Sequence, residues 1–115
     1  MRLNIFLVIY IIISLNLVGC SSAPKKESTE QELYEAAKRS IKIKNFSQAT
    51  IALEELEANF PFGRYAEQAQ LDLIYARYSG LDLEGSKLAA DRFIRLHPQS
   101  PSVDYAYYVR GIANY

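Results

Sequence analysis

Residues 53–61 read Leu53-Glu54-Glu55-Leu56-Glu57-Ala58-Asn59-Phe60-Pro61, and residues 90–98 read Ala90-Asp91-Arg92-Phe93-Ile94-Arg95-Leu96-His97-Pro98. The second stretch lies over the first at an offset of 37 residues. In both, apolar side chains recur at the three- and four-residue spacing of one helix face. In both, a proline closes the run, because it pushes the residue before it out of the α region. The same offset sets Ala69 over Ala106, Ile74 over Gly111, Ala76 over Ala113 and Tyr78 over Tyr115. A helical pattern with this period is the mark of stacked helix pairs, since one pair cannot bury its apolar face alone.

The flanking sequence completes the pairs. Thr29-Glu30-Gln31-Glu32 fits a capping box. It opens a helix to about Lys44, with Leu33, Ala37 and Ile41 on one face. Asn45 marks a turn, and a second helix from about Ser47 carries Ala49, Ala52, Leu53, Leu56 and Phe60. A third covers roughly 65–79 with Gly80 as its C-cap. A fourth spans about 83–97, and Ser100-Pro101 open a fifth, Ser as N-cap and Pro at the first helical position. No apolar run has period two. The third helix is apolar on two sides, with Ala69, Leu73 and Ala76 on one and Leu71, Ile74, Tyr75 and Tyr78 on the other. A middle helix that packs on both neighbours needs this. The expectation is an all-α solenoid of the tetratricopeptide type, with repeats at 29–61 and 62–98 and the first helix of a third at 99–115. Ala49 fits that pattern's small crossing residue, and Pro61 and Pro98 fit its terminal proline. Leu33 stands in place of the usual Trp, Ala37 and Ile74 where Gly is common, and Ser86 in place of the second small Ala. The expected repeat-packing set is Ala49, Leu53, Leu56, Pro61, Phe93 and Pro98. About three repeats are needed for stability, so a piece of a longer protein is expected.

Residues 1–19 differ in composition from the rest. They hold one charge, Arg2, and an apolar run over 3–18 broken by Asn4, Ser14 and Asn16. This is shorter than a spanning helix and has the layout of an export signal; an anchor left in place is the alternative. Leu17-Val18-Gly19-Cys20 resembles the bacterial lipobox. The resemblance implies cleavage between Gly19 and Cys20, with a diacylglycerol on the Cys20 thiol and an acyl chain on its amine. Acyl chains contribute about 0.8 kcal/mol per buried methylene and together hold a protein on a membrane. Ser21, rather than an Asp, favours the outer membrane. Residues 20–28, with the Lys25-Lys26 pair, read as the lipidated Cys and its flexible tether.

Composition excludes several function classes. The chain of 115 residues has 13 basic and 13 acidic side chains, one Cys and one His. Balanced charge gives no support to nucleic acid as a partner. One Cys and one His cannot make a closed zinc site. No Ser/His/Asp or Cys/His set is plausible, Cys20 being consumed by lipid, so no catalytic residues, metal or cofactor are expected beyond the covalent acyl groups. The acidic pair Glu54-Glu55 falls on a solvated helix face.

Four strings are more specific than the repeat pattern: Asn59-Phe60-Pro61-Phe62-Gly63, Gln70-Leu71-Asp72-Leu73-Ile74-Tyr75-Ala76, Asp91 to Pro98, and Asp104-Tyr105-Ala106-Tyr107-Tyr108-Val109-Arg110-Gly111. They resemble the BamD (ComL) family of outer-membrane lipoproteins of the β-barrel assembly machine. The resemblance implies a lipid-anchored scaffold facing the periplasm that helps to recognise and insert unfolded β-barrel proteins. The implied partners are the barrel-forming subunit, other lipoproteins of the machine and unfolded barrel substrates, with contacts to the subunits largely beyond Tyr115. Two other readings stay open: a lipoprotein for pilus or envelope assembly, and the helical part of a larger envelope hydrolase.

The residues after the second helix are the candidate peptide-binding segment: Phe60, Phe62, Gly63, Arg64 and Tyr65. They occupy a three-residue surplus over the standard repeat, whereas the matching surplus Gln99-Ser100-Pro101 is polar. Aromatics there suit the aromatic side chains of a barrel substrate, and Arg64 suits its terminal carboxylate. A staple between helices is the competing role. Most tyrosines are expected in packing roles. Asp72 with Arg77, and Asp91-Arg92 with Arg95, are expected as exposed ion pairs, or Asp72 as a partner of Arg92 or Arg95 between helices. His97 suits a helix C-terminus.

Overall fold

The computed structural model describes residues 28–115. The signal, cleavage and lipidation expectations at residues 1–27, Cys20 included, lie outside the described residues. Among the described residues all regular structure is helical: α1 Glu30–Lys42, α2 Phe46–Asn59, α3 Ala66–Ser79, α4 Leu83–Leu96 and α5 Val103–Ile112. Each helix packs on the next, and α3 also touches α5. The result is an all-α solenoid of the tetratricopeptide type.

The 37-residue offset recurs in the backbone itself. Lys44 and Leu81 have φ of 59° and 66°. Asn45 and Asp82 then cap the next helix, accepting from the Gln48 and Gly85 amides at 3.2 and 2.9 Å. Phe60 and His97 close α2 and α4 at φ, ψ of −132°, 57° and −129°, 55°. Gly80 is the C-cap of α3, as the sequence predicts; it sits at φ −83°, and the left-handed residue is the next one, Leu81. The turn is a Schellman motif: Asp82 N donates to Arg77 O at 2.9 Å and Leu81 N to Tyr78 O at 3.1 Å. That geometry fixes the left-handed position one residue after the cap. Gly80 serves close approach instead, since a Cβ there would lie 3.2 Å from Phe46 Cβ. One feature differs from the sequence expectation: α5 starts at Val103 rather than at Ser100-Pro101. Ser100 Oγ donates to Glu67 at 2.6 Å and accepts from Ser102 N at 3.1 Å, holding 100–102 as a turn.

The core is two clusters with α3 between them. Leu33 and Ala37 of α1, Ala49, Leu53 and Leu56 of α2, and Ala69, Leu73 and Ala76 of α3 form the first. Leu71 and Ile74 of α3, Ala90 and Phe93 of α4, and Ala106 and Val109 of α5 form the second. The two apolar sides of α3 thus feed different clusters, although Tyr75 itself is 43% exposed. Ala37 and Ala49 are fully buried, as are Ile74 and Ser86 in the next repeat. The Ser86 hydroxyl donates to Ile74 O at 3.0 Å, so the polar substitute for alanine is satisfied internally.

Pro61 and Pro98 are exposed, which corrects their expected packing role. They stop helices, and the chain has already left the helical conformation at Phe60 and His97. The ion pairs also differ from expectation. Asp72 pairs with Lys38 of α1 at 3.2 Å, not with Arg77, Arg92 or Arg95. Arg92 pairs with Glu57 at 3.2 Å and Arg110 with Asp91 at 3.1 Å. Arg77 pairs with Asp82 and with Glu54, so Glu54 is not merely solvated. Of these pairs, all but Arg77–Asp82 join different helices, and a partly exposed pair of this kind is worth under about 1 kcal/mol. His97 contacts Gln70 Oε1 at 3.0 Å and leans on Phe93 at 4.9 Å, which ties the end of α4 to α3.

Candidate functional site

The segment between α2 and α3 is pinned from α1. Glu30 Oε1 accepts from Tyr65 N at 2.6 Å. Gly63 makes this possible, because a Cβ at residue 63 would overlap the Glu30 carboxylate. Tyr65 stacks on Tyr34 with ring centroids 4.6 Å apart and planes 16° from parallel. Phe60 packs against the first core cluster. The five residues singled out in the sequence therefore divide. Phe60 and Tyr65 are committed to packing, and Gly63 clears a path for Glu30. Phe62 is 99% exposed, and Arg64 is exposed with its guanidinium 5.7 Å from the Tyr65 ring centroid. A rigid backbone thus presents one aromatic side chain and one cation to solvent. Glu30 was not legible as the pin, because the capping box assigns the local role to Glu32, whose carboxylate accepts from Thr29 N at 2.8 Å.

A second feature lies on the face shared by α1, α3 and α5. Asp72 is 9% exposed. Lys38 Nζ reaches its Oδ2 at 3.2 Å, and Gln68 Nε2 reaches its Oδ1 at 3.2 Å. A cleft of about 260 Å3 opens beside it, lined by Gln68, Leu71, Asp72, Tyr75, Ser102 and Tyr105. Burial, then the Asp72 charge, pushes the Tyr34 phenol above its ordinary pKa. Burial, then Tyr75 and Asp72, raises that of Tyr105. The tyrosines are legible in the sequence, but which of them converge on one carboxylate is not.

A second cleft, of about 280 Å3, lies between α2 and α4 over Leu73. Glu57 pairs with Arg92 across it, and Glu54 pairs with Arg77 of α3. No group of three His, Cys, Asp or Glu able to hold a metal occurs among the described residues.

Comparison with known proteins decides the family. A tetratricopeptide repeat family model matches residues 22–115. The outer membrane protein assembly factor BamD of Neisseria meningitidis serogroup B is 43% identical over 82 residues, 71% of this chain and 31% of the relative. BamD of Vibrio cholerae is 38% identical over 100 residues, 85% of this chain and 42% of the relative. BamD of Xylella fastidiosa is 32% identical over 102 residues, 85% of this chain and 35% of the relative. The chain belongs to the BamD family of tetratricopeptide repeat proteins. It spans 31–42% of the length of these BamD relatives. In this BamD-family chain no helix among the described residues is long and apolar enough to cross a membrane.

Proposed function

We propose that this chain is part of a non-enzymatic assembly factor for outer-membrane proteins, held at the outer membrane through lipid on Cys20. Its α2–α3 segment contacts the C-terminal end of unfolded β-barrel substrates, and other members of the assembly machine bind elsewhere on the solenoid. The relatives, named as assembly factors, support the first part. The observation that carries the second is the pairing of a 99% exposed Phe62 with exposed Arg64 on a backbone pinned by Glu30. An aromatic side chain left in water at a rigid site contributes to binding when a second ring or apolar chain covers it. A guanidinium two residues away takes a carboxylate with two parallel hydrogen bonds. Phe60 and Tyr65 then act as supports and not as contacts.

Crosslinking tests this. In the full-length protein, a photo-crosslinker at residue 62 captures peptides ending in an aromatic residue with a free carboxylate. Amidating that carboxylate, or Arg64→Glu, lowers capture about tenfold, and the loss shrinks at high salt. Capture no stronger at residue 62 than at exposed Gln48 would rule the segment out. Fatty-acid labelling tests the anchor separately: Cys20→Ala abolishes the label, and a labelled mutant would overturn lipidation at this residue.

A further inference from the structure

We propose that the cleft between α3 and α5, built from Asp72, Tyr75 and Tyr105, receives an arginine side chain of a partner polypeptide. The proposal goes beyond the reading above and does not depend on it, since it concerns a different cleft, other residues and the opposite charge.

The argument starts from how the protein already treats a cation at this carboxylate. On one flank of Asp72, Lys38 Nζ stands 3.2 Å from Oδ2 and 5.8 Å from the centroid of the Tyr34 ring. A carboxylate and a tyrosine face together hold an ammonium there. The other flank repeats those ingredients, with Tyr75 and Tyr105 lining the cleft beside the same carboxylate. The solenoid repeat supplies no lysine on this side: the residue 37 positions after Lys38 is Tyr75 itself. Tyr75 is 43% exposed, so its ring can be reached from solvent. Its edge-on contact with Phe46, with centroids 6.0 Å apart, fixes its plane.

Arginine suits this cleft better than lysine. Its guanidinium is planar, lies flat on an aromatic ring and donates several hydrogen bonds at once. Cation–π attraction and a partly buried carboxylate act together. Each oxygen of Asp72 has a second lone pair, so Gln68 and Lys38 do not exhaust its capacity to accept. Ser102 and the Tyr105 hydroxyl offer acceptors at the mouth of the cleft. Tyr105 lines the same cleft as Asp72, and burial, then Tyr75 and Asp72, raises its phenol pKa. A cleft of about 260 Å3 accommodates one guanidinium and part of its stem. An anion is disfavoured by Asp72, and a purely apolar side chain would strand the Gln68, Ser102 and Tyr105 polar groups.

The test uses the full-length protein with tyrosine rings labelled for NMR. N-acetyl-arginine amide is titrated against N-acetyl-citrulline amide, its uncharged near-isostere. The expected result is a saturable shift of the Tyr75 and Tyr105 rings with the arginine compound, and binding about tenfold weaker with citrulline. Asp72→Asn keeps the shape and weakens arginine binding about tenfold. Tyr75→Ala, at an exposed position, serves as a second variant should Asp72→Asn unfold, and weakens binding about threefold. Equal shifts with citrulline, an arginine affinity unmoved in the folded variants, or no shift at either ring would overturn the proposal.

Discussion

Phe93→Ala is expected to cost about 3–5 kcal/mol, the range for removing a large aromatic from a closed core. Phe93 is fully buried in the second cluster, between α3 and α5. Its ring contacts cannot be replaced locally, because Ala90 and Ala106 nearby are too short to fill the space. The loss should be regional. The first cluster does not contain Phe93, and a solenoid's stability is a sum of repeat and neighbour contributions. Hydrogen exchange on the full-length protein should show α4 and α5 losing protection most and α1 least. Leu56 stands 37 residues earlier and is also fully buried. Leu56→Ala should cost about 2–5 kcal/mol and show the opposite pattern, with α1 and α2 opening first. Uniform loss of protection in both variants would contradict the two-cluster core.

Ala49→Leu is the second large effect, from overpacking rather than from a cavity. Ala49 is fully buried in the cluster that joins α1, α2 and α3, as is Ala37. Added methylenes must push helices apart or force strained rotamers, which costs about 1–3 kcal/mol. A clear fall in the urea midpoint of the full-length protein is expected. Ile51 lies two residues on and is 53% exposed, so Ile51→Leu should leave the midpoint within the scatter of surface changes, about 0.5 kcal/mol. An unchanged midpoint for Ala49→Leu would mean that α1 and α2 cross elsewhere.

The capping box, the stops before Pro61 and Pro98, the two-sided apolar pattern of α3 and the 37-residue period were all legible along the chain. Each is local or nearly so: a cap reads three residues, a proline reads one, and a helix face reads every third or fourth. The period extends that local reading, because stacked repeats must present matching faces at matching intervals. The Gly80 C-cap was legible in the same local way. Ser100-Pro101 looked like a helix start, yet a hydrogen bond to Glu67, 33 residues away, keeps that segment a turn. There a contact with α3 outweighed a local N-cap preference of about 1 kcal/mol.

The candidate surfaces divide along the same line. That an aromatic, glycine-bearing segment with an arginine follows α2 is written in residues 60–65. That Tyr65 turns inward onto Tyr34, while Phe62 and Arg64 stay in water, depends on Glu30 arriving from α1. Asp72 likewise reads as one acid on a helix. Its surroundings come from α1 and α5 as well as α3, brought together by the twist of the stack. The sequence by itself determined which segments are helices, where they stop and how often they recur, because those follow from backbone sterics and from burying one face. Tertiary structure decided which side chains remain free to bind and which charges meet between helices, because those depend on residues from 19 to 35 apart being held within a few ångströms.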